Sequence, residues 1–323
     1  MKEKQQIFDL IKQYDDIIIV RHIRPDGDCI GSTIGLRDIL RASFPHKQIY
    51  SVGNDDSQYL AFLGAEDVVD LTNVIAQALV IVVDTATSDR IDYAFWKEGQ
   101  YTIKIDHHLR VEDYADLNYV REDLPATAAI ITDFWFSFKE ELLMPQSAAQ
   151  ALFVGLVTDT GRFKYRGVNS LVMRMAAELI ATDIDIVDIY AHLYIKSKES
   201  FHLQGYVLNH YRTSPHGVAY MFITKRLQKK FKVTIEEASA LVNTLDSIKG
   251  YLVWIFFVQG KEKIRVRLRS RFVDVNELAG EYGGGGHRQA SGATLSHRRQ
   301  IKEMIAKADL LVKQYKKDHP EVF

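Results

Sequence analysis

Six residues of this 323-residue chain carry the side chains of a metal centre: His22, Asp26, Asp28, Asp84, His107 and Asp159. They mix imidazole nitrogen with carboxylate oxygen and include no thiolate. Such a donor set suits Mn²⁺, or Mg²⁺, Co²⁺ or Zn²⁺ in its place, better than a structural zinc site. Four carboxylates crowded together repel one another and are driven towards the protonated form unless a cation neutralises them. Two divalent ions ~3.5–4 Å apart, bridged by one carboxylate, would balance that charge. Asp84, alone at the end of an apolar run, is the natural bridge.

The elements that must position these residues can be read from the apolar runs. Residues 17–20 (IIIV) form a β-branched block that reads as a buried parallel strand. The chain then presents His22, and Asp26 and Asp28 in a short loop around Gly27, before a helix over residues 30–40. Residues 48–52 read as a short strand, residues 79–83 (LVIVV) as a strand ending at Asp84, and residues 101–105 as a strand ending at Asp106-His107-His108. Carboxyl ends of parallel strands lie along one edge of a sheet, so these groups should converge. Helices are expected over residues 2–14, 127–140 and 146–157, the last leading into Thr158-Asp159-Thr160-Gly161. An aspartate at a strand end ordinarily caps a helix or makes a turn. Here that reading would have to hold at four separate loops.

Residues 170–211 keep a helical pattern, and after Pro215 the character changes. Strands are expected over 218–223, 252–258 and 264–268, with helices near 235–242, 275–282 and 300–315. The fold class is therefore α/β. A parallel-sheet domain flanked by helices spans residues 1–185, a helical linker 186–212, and a smaller α+β domain 213–323. Trp96, Trp135 and Trp254 read as core residues, and His192, His202, His210 and His216 as surface or packing residues.

Composition narrows the function. With 47% hydrophobic and 26% charged residues, the chain is of ordinary globular type, and its length suits about two domains. A net charge of −1 supplies no global attraction to nucleic acid or membrane, so any polyanion site must be local. No apolar run reaches the ~18–20 residues needed to span a bilayer, and the N-terminus lacks a signal-peptide core. The single cysteine, Cys29, excludes an internal disulfide, and the chain reads as cytoplasmic.

On the substrate side, Lys261, Lys263, Arg265, Arg267, Arg269 and Arg271 alternate. On a strand they share one face while Ile264, Val266 and Leu268 face the core. An edge strand uses such charges to discourage aggregation, and that reading covers Lys261 to Arg267. The glycine run at 283–286, directly before His287, reads as a phosphate-binding loop, because glycines admit close backbone approach and positive φ. Arg162, just after Asp159, is a further phosphate candidate or a structural ion-pair partner.

These motifs resemble a known family. His22-x-x-x-Asp26-Gly-Asp28, the lone Asp84, Asp106-His107-His108 and Asp159 resemble the four motifs of the DHH phosphoesterases. The glycine run with His287, together with Arg269-Ser270, resembles the DHHA1 C-terminal domain. The resemblance covers nearly the whole chain, preserves motif order, and points to the nanoRNase type. That type comprises hydrolases of short RNA oligonucleotides that also act on pAp (adenosine 3′,5′-bisphosphate).

The resemblance implies one ion on His22, Asp26 and Asp84 and another on Asp28, Asp84, His107 and Asp159. Asp106 would orient an imidazole, and His108 would face the scissile phosphate as a donor or general acid. Arg269, Ser270, Gly285, Gly286 and His287 would hold the substrate's terminal phosphate or nucleotide, with the active site in the cleft between the domains. A homodimer through the N-terminal domain is implied as well. Leu109-Arg110 departs from the proline and small polar residue common in relatives, and Arg110 reads as a surface residue. The same motifs would serve a linear or cyclic di-adenylate phosphodiesterase. A non-catalytic nucleotide-binding regulator would ordinarily show a broken ligand set.

Overall fold

In the computed structural model, which describes residues 2–54, 57–165 and 167–322, the apolar runs of the first half pair side by side. β1 (Asp16–Val20), β2 (Gln48–Val52), β3 (Leu79–Val83), β4 (Tyr101–Asp106) and β5 (Leu117–Val120) form a wholly parallel sheet in the order β2-β1-β3-β4-β5. β3 is buried along its whole length, as its unbroken apolar sequence requires. Ile17, Ile19, Leu79, Ile81 and Val83 face one core, and Ile18, Val20, Val80 and Val82 face another, the period-two alternation of strands.

The first of these cores is closed by helices α1 (Lys2–Gln13), α2 (Gly27–Ser43), α3 (Thr127–Ser137), α4 (Gln146–Asp159) and α5 (Ser170–Ile180). The opposite face is covered by Leu71, Ile75 and Trp96 from segments between strands. β5 was not foreseen: its sequence, LNYV, is short and half-polar and lies at the sheet's edge.

Two expected boundaries shift, and both shifts matter for the site. α2 begins at Gly27, not residue 30, because Asp26 is its N-cap and accepts from the Cys29 N–H at 3.1 Å. Asp28 therefore sits in the first helical turn rather than in a loop. α4 likewise continues through Asp159, its last helical residue.

α2 and α4 approach closely because α2 presents Gly27, Gly31 and Gly35 at four-residue spacing. A Cβ on Gly31 would lie 2.4 Å from the Ala151 carbonyl oxygen, and one on Gly155 would lie 2.6 Å from Ala128 and 2.9 Å from Asp28. These absent side chains bring Asp28 on α2 beside the end of α4.

The chain divides into two compact units between Ile195 and Lys196. The expected connecting segment thus holds two helices, α6 (Ile186–Tyr194) in the first unit and α7 (Lys198–His210) in the second. In the second unit, β6 (Arg212–Thr213), β7 (Val218–Ile223), β8 (Val253–Gln259), β9 (Ile264–Ser270), β10 (Gly285–His287) and β11 (Ala290–Leu295) form one sheet. Its order is β10-β11-β9-β8-β7-β6. Only β7 and β8 pair in parallel.

Helices α8 (Lys225–Phe231), α9 (Ile235–Ala240), α10 (Asn276–Gly280) and α11 (Arg299–Asp318) complete this unit. β9 is an inner strand, flanked by β8 and β11, so the reading of Arg265 and Arg267 as an edge-strand device is corrected. β11 escaped detection because its sequence, ASGATL, is small and polar. Trp96, Trp135 and Trp254 are all buried.

The glycine contacts make a paired prediction. Gly31→Ala should lower stability by about 1–3 kcal/mol through overpacking, despite alanine's higher helix propensity. Gly205→Ala, in α7 where an added Cβ meets nothing within 4 Å, should stabilise by up to about 1 kcal/mol. Thermal unfolding of the two variants checks both signs, and stabilisation by Gly31→Ala would contradict the close α2–α4 contact.

Candidate metal centre

β1, β3 and β4 deliver their ends to one edge, and the six candidate donors gather there. His22 Nε2 lies 3.5 Å from Asp84 Oδ2 and 4.0 Å from Asp26 Oδ2. His107 Nε2 lies 3.5 Å from Asp84 Oδ1, 3.6 Å from Asp28 Oδ2 and 3.3 Å from Asp159 Oδ2. Asp84 thus turns one carboxylate oxygen to each imidazole. These separations exceed the ~2.9–3.0 Å typical of N–H···O hydrogen bonds. The four of 3.3–3.6 Å are close to the ~3–3.5 Å between donors that share a cation at ~2.1 Å from each, and Asp26, at 4.0 Å, stands slightly farther out.

Each donor is held by its own local device. His22 Nδ1 lies 2.8 Å from the Ile23 carbonyl, so that nitrogen carries the proton and Nε2 faces the carboxylates. Beneath it, the buried Arg21 guanidinium reaches the His22 carbonyl at 3.2 Å and pairs with Asp92 at 2.8 Å and with Glu66. Asp84 has φ +52°, a left-handed conformation costing about 1 kcal/mol for a residue with a side chain. Its N–H donates to the Ile105 carbonyl at 2.9 Å, and Thr127 Oγ1 donates to its Oδ1 at 3.0 Å.

Asp28 accepts the Thr127 and Ala128 N–H groups at 2.6 and 2.9 Å. It thereby caps α3, whose own N-cap residue, Ala126, has no side chain able to do so. Thr127, missed in the sequence, touches both Asp28 and Asp84.

The electrostatics show how strongly these groups act on one another. Burial, then Asp159, push the Asp28 carboxyl up to about 7, and burial, then Asp28 and Asp26, push Asp84 well above the carboxylate range. Burial alone would lower the His107 imidazole, but Asp159, Asp28 and Asp84 outweigh it and push it up to about 10. His22, likewise lowered by burial, is pushed up to about 9 by Cys29, Asp26 and the Ile23 carbonyl. Four carboxylates share this space, and two divalent cations would neutralise them. Donor chemistry, spacing and charge all fit that pair of ions, with His22, Asp26 and Asp84 able to hold one and Asp28, Asp84, His107 and Asp159 the other.

Asp106 stands apart from this set. Its Oδ1 lies 2.8 Å from His108 Nδ1 and its Oδ2 lies 3.3 Å from the Nζ of Lys104. The imidazole it orients is therefore that of His108. Burial works against the ionised form of Asp106, but the His108 hydrogen bond and the Lys104 ammonium outweigh it and hold the carboxyl well below its ordinary range. Lys104 is fully buried inside β4, donating also to the Ala86 and Glu112 carbonyls at 2.9 and 3.1 Å. A lysine two residues before the acidic triplet, inside an otherwise apolar strand, was its sequence signal. Arg110 is exposed and paired with Asp113 at 2.8 Å. Arg162 follows α4 with φ +63° and lays its guanidinium 4.8 Å from the Tyr194 ring.

The substrate candidates of the second unit occupy its own sheet. Arg269, Ala290 and His287 are direct partners across β9, β11 and β10, as are Arg267, Gly292 and Gly285. Directly opposed residues share a face, so Arg267, Arg269 and His287 flank a floor made of glycine and alanine. The glycine run is neither a free loop nor a flexible connector. Gly285 and Gly286 belong to β10, Gly283 and Gly286 have φ +63° and +137°, and a Cβ on Gly284 would lie 2.1 Å from the Gly292 carbonyl oxygen. Ser270 is buried, and its hydroxyl donates to the Val273 carbonyl, which places it beneath the strand end.

Comparison with known proteins agrees with this architecture. The profile of the DHH family, N-terminal domain, matches residues 16–156, and that of the DHHA1 domain matches residues 217–314. The chain is 36% identical to the bifunctional oligoribonuclease and PAP phosphatase NrnA of Bacillus subtilis, over 97% of this chain and 99% of that one. It is 37% identical to the probable bifunctional oligoribonuclease and PAP phosphatase NrnA of Streptococcus mutans, over 88% and 90%. In structure it is similar to an exopolyphosphatase-related protein from Bacteroides fragilis, with a TM-score of 0.85 and 26% identity over 99% of this chain and 98% of that one. The DHH family is metal-dependent. With its acidic and imidazole motifs at the ends of three parallel strands and a DHHA1 domain later in the sequence, this chain belongs to the DHH family.

Proposed function

We propose that this chain is a Mn²⁺-type two-metal phosphoesterase that hydrolyses short oligoribonucleotides to mononucleotides and pAp to AMP. The observation that carries the reading is the Asp84 carboxylate, one oxygen turned to His22 and the other to His107. The activities named for the relatives from Bacillus subtilis and Streptococcus mutans support the substrate class. Bound divalent cations would supply an activated water and neutralise charge on the phosphoryl oxygens.

The chain's own residues do the rest. His22, Asp26 and Asp84 hold one ion, and Asp28, Asp84, His107 and Asp159 the other. Lys104 keeps Asp106 ionised, and Asp106 fixes His108 by its Nδ1, so that the protonated imidazole would donate from Nε2 to a phosphoryl or leaving-group oxygen. Arg269 and His287, with the exposed backbone of Gly285 and Gly286, hold a phosphate of the substrate, and Arg267 lies on the same face. The near-neutral net charge of −1 favours short substrates over long duplexes, which need many phosphate contacts. Among the described residues no helix is long and apolar enough to cross a membrane. Cytoplasmic localisation and a homodimer belong to the same reading.

The metal reading has a signed pH dependence. In the metal-free protein Asp28 and His107 bind protons more tightly folded than unfolded. Each therefore contributes stability that is full below its unfolded pKa and lost as pH rises through the folded one. For Asp28 that window runs from ~4 to about 7, and for His107 from ~6.5 to about 10. In chelator the melting temperature should fall as pH rises from about 7 towards about 10. Added Mn²⁺, which competes with those protons, should stabilise most at the upper end. A melting temperature that climbs through this window in chelator would contradict the assignment.

Substrate choice is tested with pAp, a ladder of short RNAs, a long RNA, pApA and pyrophosphate in the presence of Mn²⁺. Mononucleotide release from the short ladder together with pAp cleavage is expected, and Asp84→Ala should abolish both. Arg269→Ala should raise KM about tenfold or more with little change in kcat, the loss of a charge-assisted phosphate contact. Preference for pApA would move the enzyme to the di-adenylate branch. No turnover with any divalent metal would refute the enzyme reading.

A further inference from the structure

The His22 end of the centre contains a donor absent from the set read in the sequence. Cys29 is fully buried in the first turn of α2, and its thiol, a His22 ring nitrogen and an Asp84 carboxylate oxygen all lie within 4.8 Å of one another. The cap fixes this arrangement: Asp26 accepts the Cys29 N–H at 3.1 Å, and the Cys29 Sγ rests 3.9 Å from the His22 carbonyl. Successive residues of a helix point ~100° apart. Asp28 therefore serves the His107 end while Cys29 turns to the His22 end. His22 and Asp84 are themselves 4% and 2% exposed, so the thiol faces polar donors rather than an apolar pocket. The His107 end, with Asp28 and Asp159, offers only nitrogen and oxygen among the described residues.

We propose that Cys29 gives the centre a second, soft-metal mode, in which Zn²⁺ or Cd²⁺ is held at the His22 end by the Cys29 thiolate, the His22 imidazole and the Asp84 carboxylate. The proposal rests on reading the cluster as a metal centre. On binding, the metal–sulfur bond replaces the S–H bond and the proton leaves to solvent. Mn²⁺ and Mg²⁺, harder ions that prefer oxygen and imidazole, leave the thiol protonated. The two ends are thus chemically unequal, and thiophilic ions are directed to one of them.

The test is titration of the full-length metal-free protein with Cd²⁺, followed by the near-ultraviolet thiolate-to-cadmium charge-transfer band, with Mn²⁺ binding measured in parallel. The chain has 1 cysteine, so any such band reports Cys29 even before a variant is made. A band that saturates at one equivalent in the wild type is expected. It should be absent in Cys29→Ser and Cys29→Ala, whose Cd²⁺ affinity should fall about tenfold or more while Mn²⁺ affinity changes little. Cd²⁺ that competes with Mn²⁺ without producing the band overturns the thiolate mode alone. Failure of both ions to bind overturns the metal centre beneath it.

Discussion

Buried carboxylates repel one another, and the N-terminal unit gathers Asp28, Asp84 and Asp159 around one imidazole. Elsewhere in the same unit buried charge is matched: Arg21 by Glu66 and Asp92, and Lys104 by Asp106. Divalent cations from outside would relieve the repulsion in this carboxylate cluster. Asp84 is its pivot, held in a left-handed backbone conformation with each oxygen turned to a different histidine. The cost of that conformation, about 1 kcal/mol, is small against the electrostatic gain when cations bind.

The surrounding structure exists to hold those oxygens still. Three parallel strands stop at the same edge, which aligns His22, Asp84 and His107. Glycines spaced along α2 let α4 approach, bringing Asp159 beside Asp28. The buried N–H groups at the start of α3 fix Asp28 from the third side. In each case backbone geometry orients the side chain, so the site survives without long flexible ligands. In the second unit the same economy recurs: residues with little or no side chain on β10 and β11 leave a floor beside Arg267 and Arg269.

Much of this was legible in the sequence because the signals were local. The unbroken apolar runs at residues 17–20 and 79–83, and the run 101–105 interrupted by Thr102 and Lys104, read as buried strands, and the groups that follow them should share an edge. What stayed hidden was non-local. Asp26 looked like a loop ligand, and only the start of α2 at Gly27 shows that it also caps a helix. Thr127 and Lys104 carry no motif, since their roles depend on which strand end they meet. β11 is too small and polar to announce itself, and without it β9 looked like an edge strand and Arg265 and Arg267 like a protective device. Cys29 was read only for what it excludes, a disulfide, because its position beside His22 follows from the cap.

In the proposed centre Asp84 joins two metal positions. Electron paramagnetic resonance of the Mn²⁺-saturated protein tests it most directly, because a shared carboxylate couples the spins of two nearby ions. The signature of an exchange-coupled Mn²⁺ pair is expected in the wild type, reduced to that of isolated Mn²⁺ in Asp84→Ala. Isolated Mn²⁺ in the saturated wild type, with no coupled signal at any loading, would contradict it.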